Sequence, residues 1–129
     1  MENTATTMLL NRGRVRLTLT LMAIGLILTT SVTSFAQQIY ARSDVVRAGH
    51  TNVYQWTFVG GEWEVLVVSG NGYTDLDLYV YDENGNLIAK DDDNSDDCLV
   101  RFIPRWTGRF TIKVVNRGDY ANRYTIATN

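Results

Sequence analysis

Apolar and polar residues alternate with a period of two along most of the chain after residue 50. The clearest runs begin at Tyr54, Leu76, Phe110 and Tyr124, and in each run the apolar side chains occupy every second position. Successive side chains of a β-strand point to opposite faces, so this spacing is typical of half-buried strands, whereas a helix needs a period of about 3.6 residues. The sequence therefore predicts an all-β fold.

Short strands separated by turn residues favour a particular kind of all-β fold. Strands are predicted at roughly 51–58, 62–69, 76–81, 87–90, 98–103, 109–115 and 123–128. We interpret Gly60-Gly61 and Asn84-Gly85 as hairpin turns. The apolar segment 65–68 predicts a central strand that is covered on both faces. Together these features predict a small antiparallel jelly-roll-type β-sandwich of about seven to eight strands.

Residues 1–36 have the order of a secretory signal peptide. A basic region with arginines at positions 12, 14 and 16 precedes an apolar run, and small residues lead to an expected cleavage after Ala36. The apolar run is shorter than the ~20 residues of a membrane-spanning helix, which disfavours a membrane anchor. We therefore predict a signal peptide over 1–36 and one domain over 37–129, secreted or periplasmic and with no membrane contact after cleavage.

The composition of the predicted mature domain excludes several functions. It carries nine of the chain's twelve Lys and Arg residues and thirteen of the fourteen Asp and Glu residues, so its net charge is −4, which argues against nucleic acid as a partner. Cys98 is its only cysteine, so we expect a small buried side chain and no intrachain disulfide. Its only histidine, His50, has no accompanying nucleophile or zinc motif. The chain is predicted not to be an enzyme. The core or its edges are expected to hold Trp56, Trp63, Trp106 and Phe110.

An acidic stretch surrounds the Asn84-Gly85 turn. Between Glu62 and Asp97 there are eleven acidic residues and one basic residue. A two-residue turn predicts the cross-strand pairs Tyr81 with Ile88, Tyr79 with Lys90 and Asp77 with Asp92. Like charges that face each other across strands are destabilising. Three arrangements would relieve the repulsion: a loop open to water, arginines from the C-terminal half, or a hard cation such as calcium, which accepts about six to eight oxygen ligands.

Several segments together resemble one known family. The segments are Asp75-Leu-Asp-Leu-Tyr-Val-Tyr-Asp, Asn84-Gly-Asn-Leu-Ile-Ala, Val100-Arg-Phe-Ile-Pro and Thr107-Gly-Arg-Phe-Thr-Ile-Lys-Val. Over about residues 44–128 they resemble the bacterial pre-peptidase C-terminal domain. This resemblance implies a small secreted jelly-roll sandwich of the kind usually appended to exported proteases, with relatives in bacterial collagenases that bind calcium and collagen. It implies calcium as a cofactor, with the metal ligands Asp75, Asp77, Asp91, Asp92 and Asp93.

Outward-facing side chains on the predicted strands suggest a binding surface. Tyr79 and Tyr81, with Arg101 and Lys113 on nearby strands, are the candidate ligand-binding residues, because tyrosines on a flat sheet suit peptide or polysaccharide contact. Ordinary cross-strand packing explains the tyrosines equally well. The predicted function is a secreted non-catalytic binding or accessory module, with collagen-like matrix protein, polysaccharide or an exported protease in trans as the partner. The alternative is a structural envelope subunit that pairs with another exported protein through a sheet edge, without metal.

Overall fold

A computed structural model describes residues 39–129, so the predicted signal peptide and its cleavage site lie outside the described residues. The described chain is all-β, and none of it forms a helix long and apolar enough to cross a membrane. The strands, in chain order, are β1 (Tyr40–Val46), β2 (Thr51–Phe58), β3 (Glu64–Ser69), β4 (Leu76–Tyr81), β5 (Leu87–Asp91), β6 (Asp97–Phe102), β7 (Gly108–Asn116) and β8 (Asn122–Thr128).

Two four-stranded antiparallel sheets pack into a sandwich. Sheet A has the order β1-β8-β3-β6, and sheet B has the order β2-β7-β4-β5. The chain crosses repeatedly from one sheet to the other, and only β4 and β5 are consecutive neighbours in the same sheet. Eight strands in two such sheets form a jelly roll. The predicted all-β sandwich is confirmed.

One apolar interior lies between the sheets. Leu66 and Ile126 of sheet A and Leu78 and Ile112 of sheet B are fully buried, and each of them stabilises the fold by about 1.5–3 kcal/mol relative to an exposed position. Aromatic rings join the sheets at one end, where the centroids of Phe58 and Phe102 are 5.4 Å apart. The alternation seen in the sequence places one face of each strand in this interior.

The first strand was not among the predicted ranges. β1 pairs with β8 along its whole length, but its side chains that face the other sheet include Arg42 and Asp44. Asp44 accepts a hydrogen bond from the Tyr54 hydroxyl at 3.0 Å, and the Arg42 guanidinium lies 5.2 Å from the centre of the same ring. Polar side chains that contact the Tyr54 ring and hydroxyl occupy the positions where apolar residues would otherwise alternate. The strand therefore cannot be recognised from apolar residues in the sequence.

The interpretation of Gly60-Gly61 as a hairpin turn was wrong. β2 and β3 belong to different sheets, so this segment carries the chain across the sandwich. The Gly61 N–H donates to the Pro104 carbonyl at 2.8 Å, and a Cβ atom on Gly60 would lie 2.7 Å from the Trp106 backbone. Gly60 is required by close approach to the loop after β6, whereas Gly61 is favoured by its positive φ of 83°.

The prediction for segment 65–68 was half right. β3 is a central strand, between β8 and β6 in sheet A. Its outer face is not covered in the described part of the chain, because the Val67 side chain is 40% exposed.

The prediction that the aromatic residues lie in the core or at its edges was right for Phe110, which is in the core. It was wrong for Trp63, which is 64% exposed.

Cys98 is a buried core residue, as the sequence predicted. It is free, and its thiol donates to the Leu76 carbonyl at 3.0 Å, linking β6 to the first residue of β4. Burial raises the pKa of the Cys98 thiol to about 12.

We expect Cys98 to react with an aromatic disulfide reagent only when the protein unfolds. The thiol is neither accessible nor ionised at pH 8, and thiolate is the reactive form. The rate of modification should follow the unfolded population along a urea series, and in buffer alone it should be at least about a thousandfold below that of the unfolded chain. Rapid modification in buffer would show that the β6 edge opens.

Candidate functional site

The five acidic residues predicted as metal ligands lie in or directly beside the β4–β5 hairpin. We call this set, Asp75, Asp77, Asp91, Asp92 and Asp93, the acidic cluster. Burial, then the neighbouring charges of Asp77 and Asp93, raise the pKa of Asp75. The Asp75 carboxylate therefore lies near those of Asp77 and Asp93.

The register of the hairpin differs in part from the prediction. Tyr79 faces Lys90 as expected, and the turn at Asn84-Gly85 is confirmed, with Gly85 at φ 81°. A bulge between Val80 and Tyr81 places Tyr81 opposite Leu87 rather than Ile88. β5 ends at Asp91, so the pair of Asp77 with Asp92 does not form within the strands.

The most buried carboxylate of the acidic cluster has an arginine partner. Asp77 is 4% exposed, and its Oδ2 atom accepts from the Arg117 Nε at 2.6 Å and from the Tyr79 hydroxyl at 3.0 Å. Arg117 follows β7, far away in sequence, and its Nη2 also donates to the Tyr79 hydroxyl at 3.3 Å. An arginine of the C-terminal half therefore supplies a positive charge where the sequence suggested a cation.

Three further carboxylates of the cluster, those of Asp91, Asp92 and Asp93, also have partners. Asp91 Oδ2 accepts from the Leu99 backbone N–H at 2.8 Å, which ties β5 of sheet B to β6 of sheet A. Asp92 forms an ion pair with Lys90 at 2.7 Å. Asp93 Oδ1 accepts from the Ser95 N–H at 2.9 Å and so organises the loop. Each of these three carboxylates thus has a local structural role.

Two further aspartates, Asp82 and Asp96, are buried and were missed by the sequence reasoning. Asp82 accepts hydrogen bonds from the backbone N–H groups of Asn84 and Asn86, at 2.9 and 2.8 Å, and the Asn86 side chain lowers its pKa most. Asp96 accepts from the Asn122 amide at 3.1 Å. The Asp-x-Asn spacing before Gly85 is a turn signal that could have identified Asp82.

The described residues do not fit a preformed calcium site. No group of three or more His, Cys, Asp or Glu side chains with metal-ligand geometry occurs in residues 39–129. Only the Oδ1 atom of Asp75 is buried without a hydrogen-bond partner in the cluster. In this arrangement the Oδ2 atoms of Asp77 and Asp92 are bonded to Arg117 and Lys90 instead of an ion.

Three of the four candidate ligand-binding residues share one surface. The rings of Tyr79 and Tyr81 stack on the outer face of sheet B, with centroids 6.5 Å apart and planes at 27°. The Lys113 Nζ lies 4.9 Å from the centre of the Tyr81 ring, and Lys113 is the cross-strand neighbour of Tyr79. We call Tyr79, Tyr81, Lys113 and Arg117 the tyrosine face.

Arg101 does not join this surface. It lies on β6 in sheet A, where it alternates with the buried residues Val100 and Phe102 and is exposed. Its side chain therefore faces outward from the opposite side of the sandwich. Sequence spacing alone did not reveal which of the two sheets each strand belongs to.

The residues that could perform catalysis are apart from one another. His50 is exposed, and its Nδ1 bonds to the Ala48 carbonyl at 2.8 Å in the turn after β1. Cys98 is enclosed in the core. The described chain therefore places no nucleophile in contact with a histidine base, as a nucleophile–histidine pair requires.

Together, the fold and this surface define a small jelly-roll domain with a partly exposed, ordered aromatic face. Two solved structures share the fold. One is the pre-peptidase C-terminal domain of a collagenase from Bacillus anthracis, with a TM-score of 0.56 and 15% identity over 70% of this chain and 88% of the other. The second is Aeromonas hydrophila PliG, a periplasmic lysozyme inhibitor of g-type lysozyme, with a TM-score of 0.51 and 15% identity over 70% of this chain and 84% of the other.

The similarity to these structures is one of fold. Neither a protein-family model nor a curated protein matches the chain. The fold that the resemblance to the pre-peptidase C-terminal domain implied is confirmed. Identity at this level carries no ligand or partner from one protein to the other.

We expect Arg117→Gln to lower the Tm by roughly 5–10 °C, because the change leaves the buried Asp77 carboxylate without its ionic partner. Arg123→Gln is the matched control, since Arg123 is an exposed residue of sheet A outside the ion pairs of the described chain. Thermal unfolding followed by circular dichroism measures both variants. Equal Tm values for the two variants would contradict a structural role for the ion pair.

We expect calcium in excess and a chelator in excess to give Tm values within about 2 °C of each other, since a ligand stabilises a fold only if it binds the native state. The reason is that Arg117 and Lys90 already neutralise Asp77 and Asp92. A calcium-dependent rise of many degrees that disappears in Asp75→Asn would show that the cluster rearranges around an ion.

Proposed function

We propose that this chain is an exported, non-catalytic module that binds an extracellular protein through its tyrosine face. The observation that carries the proposal is the stacked pair of Tyr79 and Tyr81 on the outer face of sheet B. Tyrosine provides a large amphipathic contact area with few rotatable bonds, and it is enriched among the residues that dominate binding energy at protein interfaces.

The two rings are held in place before any partner binds. The Tyr79 hydroxyl donates to Asp77 and accepts from Arg117, and Lys113 lies against the Tyr81 ring. Both tyrosines remain partly exposed. Because their rotamers are already ordered, association costs less side-chain entropy than it would for free rings.

The charges on this face favour a partner that presents carboxylates and carbonyl groups. Lys113 is outside the ion pairs of the described chain, whereas the charges of Lys90 and Arg117 are balanced by Asp92 and Asp77. A lysine beside two tyrosines can donate to backbone or carboxylate oxygens while the rings cover apolar surface. A protein surface provides both kinds of contact.

The neighbours in fold support a role outside the cytoplasm. One is a domain of a collagenase, and the other is a periplasmic inhibitor of a lysozyme. Fibrillar collagen and g-type lysozyme are therefore the first protein probes, and an insoluble polysaccharide is the probe for the competing class of partner. Secretion itself depends on the signal peptide predicted at 1–36.

We expect the protein to be retained by at least one of the two protein probes and Tyr81→Ser to reduce its affinity by roughly 30-fold, which corresponds to about 2 kcal/mol for a central interface tyrosine. Sedimentation with fibrils and surface plasmon resonance with lysozyme measure this. Tyr73→Ser is the matched control, because Tyr73 is 80% exposed in a loop outside the tyrosine face. Arg101→Gln should also leave affinity unchanged.

Retention by the polysaccharide alone would contradict a protein partner. Equal affinity of the wild-type protein and Tyr81→Ser would move the contact away from the tyrosine face. A loss of affinity in Arg101→Gln would place the contact on sheet A instead.

A further inference from the structure

A second surface lies where β1 and β2, the outermost strands of the two sheets, form the open side of the sandwich. There the structure has a groove of about 540 Å³. Its walls include three aromatic residues and two carboxylates, and we call it the aromatic groove: Tyr40, Trp56, Trp63, Glu62 and Glu64. None of these residues belongs to the tyrosine face, so this inference goes beyond the proposed function.

The aromatic walls of the groove are ordered but remain accessible. The ring of Tyr40 packs edge-on against Trp56, with centroids 5.6 Å apart, and Tyr40 is 53% exposed. Trp63 is 64% exposed, although its backbone is fixed because the Asn129 side chain donates to the Trp63 carbonyl at 2.9 Å and accepts from the Val65 N–H at 2.7 Å. A large exposed ring on a fixed backbone is suited to contact with a ligand.

The carboxylates of the groove have no positive partner. The lining includes no lysine, arginine or histidine, and no ion pair in residues 39–129 involves Glu62 or Glu64. Glu64 is only 6% exposed. Burial and then the charge of Glu62 raise its pKa, and a hydrogen bond from the Val59 backbone N–H offsets this only in part.

Two independent features of the groove therefore favour the same kind of ligand. A buried carboxylate without a counter-charge is destabilising, and a cation placed beside it relieves that cost. The faces of tryptophan and tyrosine attract cations through their negative quadrupole. A neutral sugar would use the aromatic rings but would leave the carboxylate unpaired.

We propose that the aromatic groove binds a cationic side chain, arginine or lysine, of an extracellular peptide. The guanidinium or ammonium group lies between Trp63 and the carboxylates of Glu62 and Glu64. The volume of the groove accommodates one such side chain and part of its backbone.

The test is an NMR titration of the purified protein with Nα-acetyl-arginine methylamide. The neutral isostere, Nα-acetyl-citrulline methylamide, is the matched ligand control because it has the same shape without the charge. The chain has three tryptophans, so its indole N–H signals report the groove through Trp63 and Trp56, and Trp106 serves as an internal reference. We expect saturable shifts of the first two signals with arginine and at least about tenfold weaker binding of citrulline.

Variants distinguish arginine binding at the aromatic groove from binding elsewhere on the protein. Trp63→Ala and Glu62→Gln change exposed residues, so both should fold normally and should each weaken arginine binding by about tenfold. Glu64→Gln removes the buried charge and should also weaken binding. Trp106→Ala, at a partly exposed tryptophan in a different groove, should leave the affinity unchanged.

Three results would overturn the proposal. Equal affinity for the arginine and citrulline derivatives would show that charge is not recognised. Unchanged binding in both Trp63→Ala and Glu62→Gln would place the arginine elsewhere. A neutral chitin trisaccharide that shifts the Trp63 signal at a lower concentration than the arginine derivative would make the groove a sugar site.

Discussion

The single apolar interior between the two sheets is the constraint on which the rest of the structure depends. The described chain has one cysteine and so no disulfide, and a domain of this size buries only a modest fraction of its surface. Side chains such as Leu66 of sheet A and Ile112 of sheet B must therefore pack against each other across the interior. Most strands that neighbour each other in a sheet are distant in sequence. Each loop that carries the chain from one sheet to the other must then be held by non-covalent contacts alone.

The acidic residues meet much of that requirement. Asp82 and Asp93 accept hydrogen bonds from backbone N–H groups in turns, and Asp91 accepts one from Leu99 on the edge strand β6, which satisfies donors that no strand partner reaches. Asp77 holds the end of β7 through Arg117. The concentration of carboxylates around the β4–β5 hairpin is explained by the loops it organises, and the tyrosine face is ordered by the same Asp77–Arg117 pair.

The sequence predicted the strands better than their arrangement. Apolar runs and turn residues located seven of the eight strands, and the apolar run is missing from β1, where Arg42 and Asp44 face the other sheet. The Gly60-Gly61 segment was misassigned because nothing local shows that consecutive strands enter different sheets. The partner of Asp77 is forty residues away in sequence, beyond the reach of any spacing rule. The residues around Trp63 in the sequence did not indicate that its side chain is exposed.

Both proposed surfaces use aromatic side chains on the rigid sandwich, and the proposed function depends on the tyrosine face. Hydroxyl-radical footprinting of the protein bound to fibrillar collagen or to g-type lysozyme tests the role of this face, because it reports the exposure of each tyrosine in one experiment. If the partner binds the tyrosine face, Tyr79 and Tyr81 will be strongly protected, whereas Tyr73 and Tyr120 will be modified as in the free protein. Protection of Tyr73 and Tyr120, with unchanged modification of Tyr79 and Tyr81, would contradict it.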